Sequence, residues 1–374
     1  MDSSSAQSPK SPKSPQSPKA ASPSPAAAPA PLLNAEAATA AGILPASHWA
    51  DQPLPEEHPD DDTASTIGSV ASSSASLSST IFEYRTHHGR TYHGDIGNAE
   101  GWEPNDKRHL ESMDIAHHCF TLCTGGKLFL SPLDKKKVQK VVDIGTGTGL
   151  WAIDFADDFP NAKVIGTDIT PIQPSWVPPN VKFELEDCNQ EWTWADNTFD
   201  FINMRMLIGV VQDWYALFRQ AYRTCKPGGY VESFVSSCHF VSDDGSVKPG
   251  SALDQWGNIW TEGGKAFGRT FDPYEEDLQR KGMEAAGFVD IEFKDMVIPV
   301  GVWHPDKDAA ERGLWWKMSI EMDLEGYLNY ICHNLLGWKP EETKAFCAHV
   351  KKEWNDPNIH GYVTARVAWG RKPE

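Results

Sequence analysis

The sequence predicts an α/β protein built on a mostly parallel, Rossmann-like sheet. Three observations carry that prediction. A β-branched run, Val141-Val142-Asp143-Ile144, meets glycines at alternate positions, Gly145, Gly147 and Gly149, and an apolar pattern at helical spacing follows from Leu150. A second apolar run, AKVIGTDIT, ends near Asp168, 19 residues after Gly149. Further short apolar runs follow, separated by helical patterns and by turns rich in Gly and Pro.

The chain begins differently. Residues 1–80 consist largely of Ser, Pro and Ala, and all but one of the 15 Trp lie beyond them. Such a segment buries too little apolar surface to offset the entropy of ordering, so a disordered tail is expected there. Residues 81–374 are expected to form one folded domain, long enough for a substantial core. Ser-Pro-Lys recurs at Ser8, Ser11 and Ser17. Those serines suit proline-directed phosphorylation, and the stretch equally suits a solvated, Pro-stiffened linker.

The net charge is −18. An acidic body lacks the clustered Lys and Arg of a nucleic-acid binder, so no direct nucleic-acid contact is expected. Seven cysteines, an odd number without disulfide-like spacing, fit a reducing compartment such as nucleus or cytoplasm. No run of 18 apolar residues predicts a membrane span, and no charged-then-apolar start predicts a secretory signal.

Five strands are expected in order along the central part. The first ends near Asp143 or Ile144, the second at Asp168, the third near Asp187 and Cys188. The fourth spans Phe199 to Met204, and the fifth spans Tyr230 to Val235 after a Pro-Gly-Gly turn. Helical patterns over Gly250–Phe267 and Glu275–Ala286 follow, the latter with Gly287 as a C-cap. A sixth strand is expected in FVDIEFKDMVIPVGVW and a seventh in GYVTARVAWGRK. About 55 residues separate them, with helical patterns near 308–336 and 340–354.

The glycine loop narrows the ligand. Glycines let the backbone turn sharply and approach a ligand closely. Yet Leu150 breaks the dinucleotide spacing, and no Gly-Lys-Ser/Thr phosphate loop is present. Asp143 would repel a diphosphate there. It would welcome an ammonium or a nearby sulfonium.

The Asp-x-Gly-x-Gly-x-Gly pattern resembles motif I of the class I S-adenosylmethionine-dependent methyltransferases, most strongly over Lys137 to Ser236. The resemblance implies their seven-stranded sheet with the last strand antiparallel, here with a helical insertion between strands six and seven. It also implies S-adenosyl-L-methionine as cofactor. Asp143, Gly145, Thr146, Gly147 and Gly149 would form its loop, Asp168 and Ile169 would meet the ribose, Asp187 and Cys188 the adenine, and Met204 would lie beside the methyl group. The insertion would then form the acceptor pocket or its lid, or else pad one sheet face.

The flanks, Gly89-Arg90-Thr91-Tyr92-His93-Gly94, Asp114 with His117, Ile172-Gln173-Pro174, Trp303-His304, and His360 with Tyr362, resemble the fungal LaeA-like methyltransferases. That group implies a nuclear regulator acting with velvet-domain proteins. It equally implies a pathway enzyme that methylates O, N or C of a small metabolite, so the acceptor is a small molecule or a protein. A cofactor-binding scaffold with little catalysis is the third reading.

Methyl transfer obliges no particular residue type. His93, His304 and His360 are the candidate bases if the acceptor must lose a proton. Tyr92, Trp151 and Trp303 are candidates to stack on adenine or face the sulfonium, against core packing. His117, His118, Cys119 and Cys123 lie close in sequence, but on a helical pattern that spreads them over more than one face, against a metal site.

Overall fold

The computed structural model describes residue 33 and residues 35–54, 84–94 and 101–374. The Ser-Pro-Lys repeats, the acidic Glu56–Asp62 and the Ser-rich 72–79 lie outside the described residues.

Seven strands form the main sheet: β3 (Lys140–Ile144), β4 (Lys163–Asp168), β5 (Val181–Leu185), β6 (Phe199–Arg205), β7 (Cys225–Ser236), β8 (Val289–Pro299) and β9 (Tyr362–Arg371). Their order is β5-β4-β3-β6-β7-β9-β8. The first five run parallel; β9 is antiparallel to both β7 and β8. This is the sheet the motifs predict. The Pro-Gly-Gly stretch is part of β7, where the pairing with β6 shifts register, and not a turn ahead of the strand. Asp187 and Cys188 sit in the loop beyond β5, two and three residues past its end.

Strand alternation sorts side chains onto two faces. Val141 and Phe201 point to the face covered by α4 (Leu150–Asp158), where Trp151 and Phe155 bury against them. Val142, Ile144, Ile202 and Met204 point to the other face, into the larger core. The larger core includes residues of α5 (Trp214–Thr224), α6 (Ala252–Phe267) and α7 (Leu278–Ala286), which ends on the left-handed Gly287 as expected.

Neighbours of β3 diverge: the chain winds outward to β4 and β5 on one side and to β6 and β7 on the other. A crevice opens at the carboxyl ends of the strands where the winding reverses, and ligands of open α/β sheets bind there. Over it lie α3 (Lys107–Cys123) and, from the insertion, α8 (Lys307–Met322) and α9 (Leu324–Asn329); the insertion continues through a π-helical turn Tyr330–Leu335 and α10 (Pro340–Trp354). The buried Asp323 carboxylate joins these layers: Arg90 donates to it at 2.8 and 2.7 Å, and His109 Nδ1 lies 2.9 Å away. Arg90 belongs to the short hairpin of β1 (Arg85–His87) and β2 (Arg90–Tyr92), so part of the Gly89–Gly94 motif has an architectural role.

One expectation for residues 1–80 is corrected. Ala35–Ala40 and Ala46–Ala50 form helices α1 and α2, and Ile43 and Trp49 are buried in the main core. The Trp49 ring stands 5.0 Å from Phe346 and 5.5 Å from His349, both on α10. Gln255 of α6 fixes the intervening backbone, accepting from Leu44 N at 2.7 Å and donating to Gly42 O at 3.1 Å. Average composition hides this short segment, which borrows its apolar surface from α10.

Candidate functional site

A cavity of about 260 Å³ occupies the crevice. One end is polar and built from the strand ends: Gly145, Thr146 and Gly147 after β3, Asp168 and Ile169 at β4, Asp187 and Cys188 after β5. The other end is aromatic, with Trp102, Phe120, Trp256, Trp260 and Phe271, and with Trp316 and Tyr327 supplied by the insertion. Helices α8 and α9 therefore contribute to the wall of the cavity.

The loop is held from three sides. Thr146 Oγ1 donates to Asp143 Oδ2 at 2.6 Å, and Asn203 Nδ2 donates to Asp143 Oδ1 at 2.7 Å. Gln173 Nε2 donates to Gly147 O at 2.7 Å. Gly147 N donates to Asp168 Oδ2 at 2.9 Å, and Thr170 N to Asp168 Oδ1 at 3.0 Å. Gly147 has φ +58°, a left-handed conformation that a side chain strains. Gly149 serves packing: a Cβ there would stand 2.4 Å from the Phe183 ring.

Asp143 is thus placed differently from its expected role. It is buried, both oxygens are taken by the loop and β6, and it does not line the cavity. Burial pushes its pKa up, against the Thr146 and Asn203 donors that favour the charged form, and those same hydrogen bonds brace the turn. Burial likewise pushes Asp168 up to about 6, against the Thr170 and Gly147 N–H donors that favour its charge. Burial drives the Cys188 thiol to about 12, leaving it a neutral wall residue.

Other expected residues are redistributed. His93 lines the cavity, with Nδ1 3.3 Å from Thr170 Oγ1. His304 and His360 do not line it; they flank Trp303, and His360 Nδ1 lies 2.7 Å from Asp244. Tyr92 is a core residue, its ring 6.1 Å from that of Tyr330. Trp151 is a core residue as well, its Nε1 donating to Leu128 O at 2.8 Å. Met204 is buried in the core and does not line the cavity; Arg205 and Met206, which follow it, line the cavity instead.

Sequence reasoning passed over Arg205, Glu103 and the cavity role of His117. Arg205 follows Asn203 on the face shared with Asp143, and alternation from the expected strand was the available signal. Its Nη2 lies 2.8 Å from His117 Nδ1, and His117 Nε2 lies 2.9 Å from Asp154 Oδ2. Arginine only donates, so Nδ1 accepts and the ring proton sits on Nε2, directed at Asp154. Burial lowers the pKa of His117, in keeping with a neutral ring, and lowers that of Arg205 to about 10, which leaves it a cation near neutral pH. Glu103 lines the cavity, and burial raises its pKa.

A family model described as a methyltransferase domain matches residues 115–292. The chain is similar to methyltransferase pytC of Aspergillus terreus, with 35% identity over 303 residues, 81% of this chain and 92% of the relative. It is also similar to the secondary metabolism regulator LAE1 of Cochliobolus heterostrophus, with 30% identity over 292 residues, 76% of this chain and 94% of the relative. Among solved structures, the Haemonchus contortus phosphoethanolamine N-methyltransferase 2 aligns at a TM-score of 0.43 and 18% identity, over 75% of this chain and 62% of that one.

Proposed function

The chain belongs to the methyltransferases of fungal secondary metabolism, and from that premise we propose that it binds S-adenosyl-L-methionine across the strand ends and methylates a small, largely apolar acceptor. One observation carries this reading: a single cavity joins the glycine loop and Asp168 to an aromatic chamber walled by the insertion. The residues present fit the cofactor. Asp168 is oriented by two N–H donors and offers its carboxylate to ribose hydroxyls. The Asp187–Cys188 loop is placed for adenine, and the stripped backbone at Gly147 permits close approach.

Bound there, the cofactor supplies an electrophilic methyl group on a sulfonium. The protein contributes alignment and exclusion of water. Trp102, Trp260, Phe271 and Trp316 present flat apolar surface to an acceptor and leave little space for solvent. If the acceptor is an alcohol, His93 and Glu103, which line the cavity, are the groups placed to take its proton. Both nitrogens of His117 are engaged by Arg205 and Asp154.

Calorimetric titration with S-adenosyl-L-methionine tests the site. Gly147→Ala and Asp168→Ala are expected to weaken binding at least tenfold, since one tenfold step is ~1.4 kcal/mol and a lost charge-assisted contact exceeds it. Unchanged affinity in both overturns the assignment.

The 30% identity to a secondary metabolism regulator favours a second reading, a regulator of secondary metabolism; action in the nucleus with velvet-domain proteins is what the LaeA-like resemblance adds to that proposal. Deletion of the gene separates the two. A broad transcript change favours the regulator, and loss of one compound with unaltered transcripts favours the pathway enzyme. The seven free cysteines support the proposal of a reducing compartment, nucleus or cytoplasm. Among the described residues no helix is long and apolar enough to cross a membrane.

A further inference from the structure

We propose that Arg205, held by His117 and Asp154, is the receptor for the methionyl carboxylate of the cofactor and fixes which way round the cofactor lies. The inference rests on the cofactor reading above and adds to it the residue that sets the cofactor's orientation.

The sheet order places the ligand groups in a row. Asp187 follows β5, Asp168 ends β4, the glycine loop follows β3, and Arg205 ends β6. Adjacent strands lie ~4.8 Å apart, so the row spans roughly 14 Å from the Asp187 loop to Arg205. That length suits an extended adenosyl amino acid. The row is also electrically polar, with carboxylates at one end and a guanidinium at the other. A ligand carboxylate is repelled by Asp168 and Asp187 and drawn to Arg205.

The guanidinium is available for this. Its one hydrogen-bond acceptor among the described residues is His117 Nδ1, at 2.8 Å, and its remaining N–H groups have no acceptor there. It is half-buried at the cavity wall and sits 5.5 Å from the Phe120 ring centre. Asp143 and Asp154 are the acids that act on it electrostatically, and neither lines the cavity. Among the described residues lining the cavity the only other Lys or Arg is Arg269. That side chain stacks 4.5 Å over Phe267 and acts on Cys188, at the adenine end. His117 accepts from Arg205 on one nitrogen and donates to Asp154 with the other, so the arginine is oriented before any ligand arrives.

The test compares S-adenosyl-L-methionine with its decarboxylated form, which keeps the sulfonium and lacks only the carboxylate. Both are titrated calorimetrically into wild type, Arg205→Met and Arg205→Lys. Wild type is expected to prefer the carboxylate-bearing ligand at least tenfold. Arg205→Met is expected to lose that preference through weaker binding of S-adenosyl-L-methionine alone, with the decarboxylated form bound as in wild type or better. Arg205→Lys, which keeps the charge without the planar fork, is expected to fall between and serves if the Met variant does not fold. Equal losses for the two ligands overturn the proposal, because they report a structural role. So does full retention of S-adenosyl-L-methionine affinity, which would leave Arg205 to an acidic acceptor. Wild type that binds neither ligand overturns the cofactor reading itself and this assignment with it.

Discussion

At the scale of single residues, Asp168 carries a pH signature. Burial pushes its pKa up to about 6, and the nearby Glu103 adds repulsion. On the proposed cofactor reading, ribose recognition uses the ionised carboxylate, which is complete at pH 8 and lost as pH falls through about 6. Affinity for S-adenosyl-L-methionine is therefore expected to fall about tenfold one pH unit below the pKa, and Asp168→Asn to bind weakly with a flat profile. Calorimetry between pH 5 and 8 checks it; a wild-type profile as flat as that of the variant removes Asp168 from ribose recognition. The same residue shows what a motif reveals. Its position after Gly149 was legible because strand, loop and acid are local in sequence. Asp143 was equally legible in place but not in role: nothing local shows that Thr146 and Asn203 consume both its oxygens. His304 and His360 were misplaced for the same reason, since only the folded chain shows that they gather round Trp303.

Among elements, the docked segment of α1 and α2 is the clearest departure from expectation. Five strands and their helices could be read from apolar runs because each run buries its own face. Helix α2 has five residues and one large apolar side chain, Trp49, so no period exists to detect. Its stability is tertiary: the indole lies at 3% exposure between α2 and α10. Trp49→Ala is expected to cost about 3–5 kcal/mol, the usual range for emptying a buried tryptophan site. The loss should appear as a lower urea midpoint. Cofactor affinity should hold in that variant, because Trp49 does not line the cavity. An unchanged midpoint would mean that this segment does not dock in solution. The insertion shows the opposite balance. Its helices were legible from their spacing, whereas their use was not, because only the packing of α8 along α3, and the Tyr327 hydroxyl of α9 on Ser112 of α3, bring Trp316 and Tyr327 over the crevice.

For the molecule as a whole, two sets of buried groups pull stability in opposite directions with pH. Burial raises Asp143, Asp168, Glu103 and Glu232, and stability from such groups is lost as pH rises through the folded pKa. Burial lowers His117, His333 and His349, and stability from these is lost as pH falls below the unfolded value of 6.5. The global profile is blunted where the two overlap, so a difference measurement is more telling. Glu232 suits it. It sits on the interior strand β7 and ties in a segment about a hundred residues earlier, accepting from Leu130 N at 2.9 Å, Ser131 N at 2.7 Å and Ser131 Oγ at 2.6 Å. Those donors favour the charge, yet burial outweighs them and pushes the group from 4.5 to about 7. Below pH 4.5 both wild type and Glu232→Gln are neutral there, and the variant is expected to be less stable, because its amide N–H₂ faces N–H donors. From pH 4.5 to about 7 the unfolded wild type ionises this acid while the folded protein holds it neutral, so the wild type loses stability and the variant does not. The variant should therefore gain on wild type by up to ~1.4 kcal/mol per pH unit across that window. Urea unfolding of both proteins at several pH values measures the gap. A gap that stays constant would show that the three donors, and not burial, govern this carboxylate, and that the sheet interior tolerates its charge.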